Sequence, residues 1–231
     1  MVVAGALVLT WCLLVWRWQD PITALYTYRE QRALSSQYEQ RLDQFQPPPA
    51  AQGRTPQEYG LAIAEAARRY RRSLREGDAI GRIRVPRLGL NMVMVNGTET
   101  ETLKKGPARH RDTFLPGEGK LTYVAGHRTT YSAPFSAIDD LRRGDPVKLE
   151  LPYGTFEYRI TKRRIVDASN VAVLRSGGRE ELALQACHPR FFASERYIVY
   201  ARPVRVLPRA GPAYAYTGTE LTALAGNTLP Q

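Results

Sequence analysis

The chain has 231 residues, which gives room for one compact domain with appendages rather than two full domains. Charged residues at 24% and hydrophobic residues at 43% exclude wholesale disorder and a multi-span membrane protein. The formal net charge of +11 suits nucleic acid, an anionic membrane or a cell wall equally, and selects none of them alone.

Residues 1–16 carry no charged side chain. As a helix they would rise ~24 Å, a little short of the ~30 Å hydrocarbon core of a bilayer. Trp16, Arg17 and Trp18 then supply an interfacial anchor, with an aromatic ring on either side of a snorkelling arginine. Neither a basic leader nor a small-residue cleavage site is visible, so residues 1–19 are expected to form a transmembrane anchor rather than a signal peptide. Arg17, Arg29 and Arg32 would place the C-terminal side in the cytoplasm by the positive-inside rule, and the chemistry read below asks for the opposite side.

Residues 20–78 read as a helical stalk. Asp20-Pro21 resembles an N-cap followed by proline at the first helical position. Leu34, Tyr38, Leu42 and Phe45 recur at helical spacing until Pro47-Pro48-Pro49 ends the run. A second helix is expected from about Pro56 to Leu74. Its cluster Arg68-Arg69-Tyr70-Arg71-Arg72 reads as a solvated face rather than a nucleic-acid groove.

From Ala79 the texture changes to short β-favouring runs divided by turn residues. These are Gly81 to Val85, Met92 to Val95, Lys120 to Ala125, Val147 to Leu151, Phe156 to Ile160, Glu181 to Cys187 and Tyr197 to Val206. The pattern predicts a mainly β fold, a sandwich or closed barrel of about seven or eight strands over residues 79–207. Residues 208–231 show no period and are expected to be a flexible tail.

The two cysteines make no disulfide framework, and Cys12 lies in the apolar N-terminal run. Cys187 ends one strand, Arg196 opens the next, and His127 follows the strand that ends Val124-Ala125-Gly126. If the last two strands are antiparallel neighbours and the first runs parallel to that of Cys187, all three side chains emerge at one rim. A thiol, an imidazole and a guanidinium so placed can perform acyl transfer, with the cations favouring thiolate and stabilising an oxyanion. His188 should point away from its neighbour Cys187, and His110 lies in a loop; both read as structural. A zinc site from His127, Cys187 and His188 lacks a fourth ligand.

Gly126-His127-Arg128-Thr129-Thr130-Tyr131-Ser132-Ala133-Pro134-Phe135, then Cys187-His188-Pro189, then Arg196-Tyr197-Ile198-Val199, resemble a sortase. The Thr-Thr-Tyr and Ala-Pro-Phe after the histidine are most similar to class E sortases. The resemblance covers roughly Gly81 to Pro203 and implies a sortase-type closed barrel with a membrane helix before it. It further implies a cysteine transpeptidase in which Cys187 attacks the Thr–Gly carbonyl of a Leu-Ala/Pro-x-Thr-Gly sorting signal. His127 would handle the protons and Arg196 would hold the oxyanion, while Thr129, Thr130, Tyr131 and Ala186 would contact the peptide. Partners implied are secreted proteins bearing the signal, an amine of a cell-wall precursor, and membrane lipid, on the extracytoplasmic side. No nucleic acid is implied, no cofactor is called for, and no acidic run reads as a dedicated calcium loop. One departure stands out: sortases carry Thr-Leu-x-Thr-Cys at the nucleophile, whereas this chain has Ala183-Leu184-Gln185-Ala186-Cys187. A pilin-polymerising enzyme and a catalytically weak tethered scaffold are the alternatives. Leu207-Pro208-Arg209-Ala210-Gly211 differs at one position from Leu-Pro-x-Thr-Gly and Tyr214-Ala215-Tyr216-Thr217-Gly218 at one from Leu-Ala-x-Thr-Gly, which raises the idea that the C-terminal tail folds back into the protein's own cleft.

Overall fold

In the computed structural model, which describes residues 2–6, 10, 21–46 and 55–216, the β-favouring runs pair into one sheet of nine strands. They are β1 (Ala79–Val85), β2 (Leu90–Asn96), β3 (Ala108–Arg109), β4 (Leu121–Ala125), β5 (Pro146–Leu151), β6 (Gly154–Asp167), β7 (Glu181–His188), β8 (Glu195–Pro208) and β9 (Tyr214–Ala215). The order is β6-β5-β1-β2-β3-β4-β7-β8-β9, and a β6–β8 pairing closes the first eight into the expected barrel. Alternation within strands fills its interior: Leu182, Leu184 and Ala186 of β7 join Phe156, Tyr158 and Ile160 of β6 and Val199 and Ala201 of β8 in the main core.

Two helices precede the barrel, α1 (Pro21–Gln44) and α2 (Pro56–Ser73). A reciprocal capping box starts α2: the Thr55 hydroxyl accepts from the Glu58 N–H, and the Glu58 carboxylate accepts from the Thr55 N–H. The expected stalk is not a free spacer. Ile63, Ala66, Ala67 and Tyr70 of α2, with Leu74 just beyond it, are part of the main core, and Tyr70 donates to the Ile80 carbonyl. Leu34 and Tyr38 of α1 pack with Ala79, Val93, Val95 and Ala108, because the apolar stripe that suggested a helix also needs a surface to cover it. The arginine cluster is mostly solvated, although Arg71 forks onto Glu118.

The tail also departs from expectation. Residues 209–216 turn back instead of hanging free: Tyr214 pairs with Val206, Ala215 with Arg205, and the Tyr216 N–H donates to Val204 O. This short strand covers the edge of β8 beyond the end of β7. It sits at the end of β8 opposite Arg196, so Leu207 to Gly211 and Tyr214 to Tyr216 do not occupy the catalytic rim. The rest of the tail lies outside the described residues. So does most of the expected anchor over 1–19, where 2–6 and 10 are helical; among the described residues no helix is long and apolar enough to cross a membrane.

At the far end of the barrel, Glu180 is buried just before β7. Its carboxylate accepts from the Gly117 N–H, the Gly119 N–H (3.0 Å) and the Tyr158 hydroxyl (2.9 Å). Burial pushes its carboxyl up from 4.5 to about 7, against the pull of these three donors. Because the folded value is the higher one, the native state binds the extra proton, and this group's contribution to stability falls as pH rises from about 4.5 to about 7. Glu180→Ala leaves two buried donors, the Gly117 N–H and the Tyr158 hydroxyl, unpaired at roughly 1–3 kcal/mol each, with the half-buried Gly119 N–H beside them. Urea unfolding should show a loss of at least ~2 kcal/mol relative to wild type.

Candidate active site

Cys187 and Arg196 are direct cross-strand partners in the antiparallel β7–β8 pair, two residues from the turn. β4 runs parallel to β7 with Ala125 opposite Gln185, and the Gly126 N–H continues the ladder to Gln185 O. His127 therefore leaves β4 at the level at which Cys187 leaves its partner strand. Both conditions set by the sequence hold.

Alternation then decides the face. Ala183 on β7, Tyr123 on β4, and Ile198 and Tyr200 on β8 pack in a separate cluster on the outer wall, partly covered by Val173 and Leu174 of the β6–β7 loop. Cys187 and Arg196 share that phase, so they open onto this outer groove and not into the core. Cys187 is a half-buried free thiol. One Arg196 nitrogen, Nη1, donates to Ala193 O (2.7 Å) and Glu195 O (3.0 Å). Its other nitrogens have no protein partner among the described residues.

The loop after β4 is held from several sides. A side chain at Gly126 would meet the Phe135 ring at 2.6 Å, so the close approach of Phe135 beneath His127 needs glycine there. Tyr131, Ser132 and Ala133 all adopt left-handed backbone (φ 51°, 59° and 37°), a costly run for residues with a Cβ. Bonds from Ala133 N–H to Thr130 O and from Phe135 N–H to His127 O brace it. Arg128 is buried and spans the gap to β7: Nη1 reaches Cys187 O (3.2 Å) and His188 Nδ1 (3.0 Å), and Nη2 pairs with Asp139 (2.7 Å). Since a guanidinium only donates, His188 Nδ1 must accept, and any ring proton sits on Nε2. His188 also packs at 5.8 Å, rings tilted by 50°, on the core residue Tyr197, away from the groove, as expected.

His127 keeps Nε2 buried and without a hydrogen-bond partner. Burial, then the charge of Lys104, hold its imidazolium below the usual 6.5. The ring rests against Tyr131 at 5.0 Å, and Lys104 lies over the other ring at 5.8 Å. Lys104→Met should therefore raise the His127 pKa, read from the imidazole proton shifts in an NMR titration, while Lys104→Arg keeps it low. A profile unmoved by Lys104→Met would leave burial as the sole cause.

The residues expected at the peptide divide. Thr129, Thr130 and Tyr131 lie half-exposed in the His127 loop. Ala186 does not line the groove with its side chain: strand alternation turns its methyl into the barrel core, opposite to Cys187. Sequence reasoning assigned nothing to Arg128 or Lys104, or to the start of α1, where Thr23 Oγ1 accepts from the Tyr131 N–H (2.9 Å) and Tyr26 meets the Tyr131 ring edge-on. The only signal was the place of Arg128 directly after His127.

A thiol beside a guanidinium, with a neutral imidazole across a parallel strand pair, is an arrangement for nucleophilic acyl chemistry. Similarity to known proteins covers the same stretch of the chain. Sortase D of Bacillus subtilis is 33% identical over 132 residues, 55% of this chain and 65% of that protein. A solved sortase E from Streptomyces avermitilis is also 33% identical, covers 58% of this chain and 93% of its own, and superposes with a TM-score of 0.53. A Clostridium perfringens sortase D5 superposes at 0.60 over 76% of this chain and 99% of its own, at 21% identity, which speaks to the fold alone. The chain spans less than two thirds of the length of the curated relatives it matches. A family model described as the Sortase domain matches residues 83–204, from within β1 to within β8 and through His127, Cys187 and Arg196, and the chain belongs to the sortase family.

Proposed function

We propose that this chain is a membrane-anchored cysteine transpeptidase that cuts a Leu-Ala/Pro-x-Thr-Gly signal between Thr and Gly and passes the acyl group to an amine of a cell-wall precursor. The observation that supports it most is the register: Cys187 opposite Arg196 on β7–β8, with His127 at the same level on β4. His127 takes the thiol proton as the Cys187 sulfur adds to the threonine carbonyl carbon, and the oxyanion draws on the free Arg196 N–H groups. The C–N bond then breaks, His127 gives its proton to the departing glycine amine, and a thioester remains. The acceptor amine adds to the thioester, its proton passes to His127, and the Cys187 thiolate leaves. Neither threonine absent before the cysteine supplies a bond-making atom, so Ala183 and Ala186 leave this sequence of steps intact.

A cell-wall acceptor asks for this chemistry outside the cytoplasmic membrane, with residues 1–19 as the anchor and against the orientation that Arg17, Arg29 and Arg32 suggest. The proline-containing and alanine-containing forms of the signal are the two substrates to compare. The test is competition of Leu-Ala-x-Thr-Gly against Leu-Pro-x-Thr-Gly peptides in the presence of amines, with products read by mass spectrometry. Cleavage after threonine with transfer to an amine supports the reading, and hydrolysis elsewhere or no product rejects it. Tyr131→Phe in the same competition tests whether the phenol selects the alanine peptide, whose backbone N–H a proline lacks. Equal preference in both proteins limits Tyr131 to packing against Tyr26 and His127.

A further inference from the structure

The catalytic rim carries apolar surface that the acyl-transfer steps do not use. Phe191 and Phe192, in the β7–β8 loop, are 63% and 82% exposed. Two adjacent phenylalanines facing water are costly unless something covers them. Arg190 beside them donates to Ser136 O, which ties this loop to the His127 loop. That loop is tied in turn to the first turn of α1 through Thr23 and Tyr26. The start of α1, the catalytic groups and the Phe191–Phe192 pair therefore share one rim.

What precedes α1 points to the occupant. Residues 1–16 are uncharged, Arg17 and Trp18 follow Trp16, and only residues 17–20 separate that run from Pro21. Even fully extended, such a tether reaches at most ~18 Å. The β8–β9 end lies much farther off, since the 14 residues of β8 extend ~46 Å at ~3.3 Å per residue. The excess of 33 Lys+Arg over 22 Asp+Glu adds attraction to an anionic surface.

We propose that the catalytic rim lies against the membrane surface, with Phe191 and Phe192 seated among the lipid headgroups. The proposal rests on the reading of residues 1–16 as an anchor, and it adds which face of the barrel meets the bilayer. Phenyl rings favour the interfacial zone, and the arginine next to them can stay with the phosphates. The consequence is that Cys187 opens close to the bilayer, within reach of an acceptor amine carried on a membrane-bound molecule.

The test uses the full chain with Cys12→Ser and Cys187→Ser, reconstituted into vesicles of phosphatidylcholine and phosphatidylglycerol. A polarity-sensitive fluorophore is attached at Phe192→Cys or, as the control at the far end of β8, at Arg205→Cys. The proposal expects quenching by lipids spin-labelled near the headgroup to be several-fold stronger at 192 than at 205. A chain that floats with the vesicles yet shows equal quenching at both positions overturns the proposal and leaves the anchor standing. A chain that does not float overturns both. A second arm compares Phe191→Ser/Phe192→Ser with wild type, both with Cys187 intact, on a soluble sorting peptide in detergent. An unchanged KM supports a lipid role, whereas a several-fold higher KM there assigns the pair to the peptide and overturns the proposal.

Discussion

Cys187→Ala should abolish cleavage of the sorting peptide, a loss of at least ~10⁴ in kcat, because no other nucleophile stands opposite Arg196 in the β7–β8 register. His127→Ala should do nearly the same. Without the imidazole, nothing at that level of β4 can carry a proton to the leaving amine. Arg196→Ala should cost less, on the order of 10²–10³ in kcat, as for one oxyanion donor. All three residues are only half-buried at the rim, so thermal unfolding should stay close to wild type. Steady-state kinetics together with a melting curve separates lost chemistry from lost fold. Near-full activity in Cys187→Ala would contradict the assignment.

Arg128→Met should be the most damaging change among residues that never touch the substrate. It removes the bonds to Cys187 O and His188 Nδ1 and the pairing with Asp139, which together clamp the His127 loop onto the end of β7. A shift of about 1 Å between His127 and Cys187 is enough for ~10² in rate. The expected signature is a fall in kcat with a much smaller change in KM, partly restored by Arg128→Lys, which can still reach one acceptor. A purely structural role would instead lower the melting temperature and leave kcat per folded molecule unchanged.

Much of this architecture was legible in the chain because it rests on local signals. Pro56 marks the start of α2, and Leu34 and Tyr38 mark the buried stripe of α1. The barrel strands were found as short β-favouring runs divided by turn residues. β3, with two residues, is too short to show any period, and the second half of β6 hides behind Lys162-Arg163-Arg164, which an exposed ribbon paired with β8 tolerates. β9 was missed because its pairing comes from the free edge of β8, not from its own composition.

The site divides along the same line. Cys187, His127 and Arg196 could be placed at one rim because strand ends and turn lengths fix them. Arg128 could not, since arginine is ordinarily a surface residue and only the fold shows it buried between two loops. The bond from Tyr131 N–H to Thr23 joins residues 108 positions apart, and no local pattern encodes it. The Ala186 methyl lies away from the groove for a simpler reason: it neighbours the nucleophile in sequence, so strand alternation sends it to the opposite face.

The central claim, that Cys187 forms the thioester, is tested most directly by the mass of the protein itself. Incubating the full chain with a Leu-Ala-x-Thr-Gly peptide and no acceptor amine, then quenching in acid, should give an adduct equal to the peptide cut after threonine. Proteolytic mapping should place it on the fragment that carries Cys187, and hydroxylamine should release it. An adduct elsewhere, or peptide cleavage at wild-type rate with no acyl-enzyme at any time point, would contradict the account.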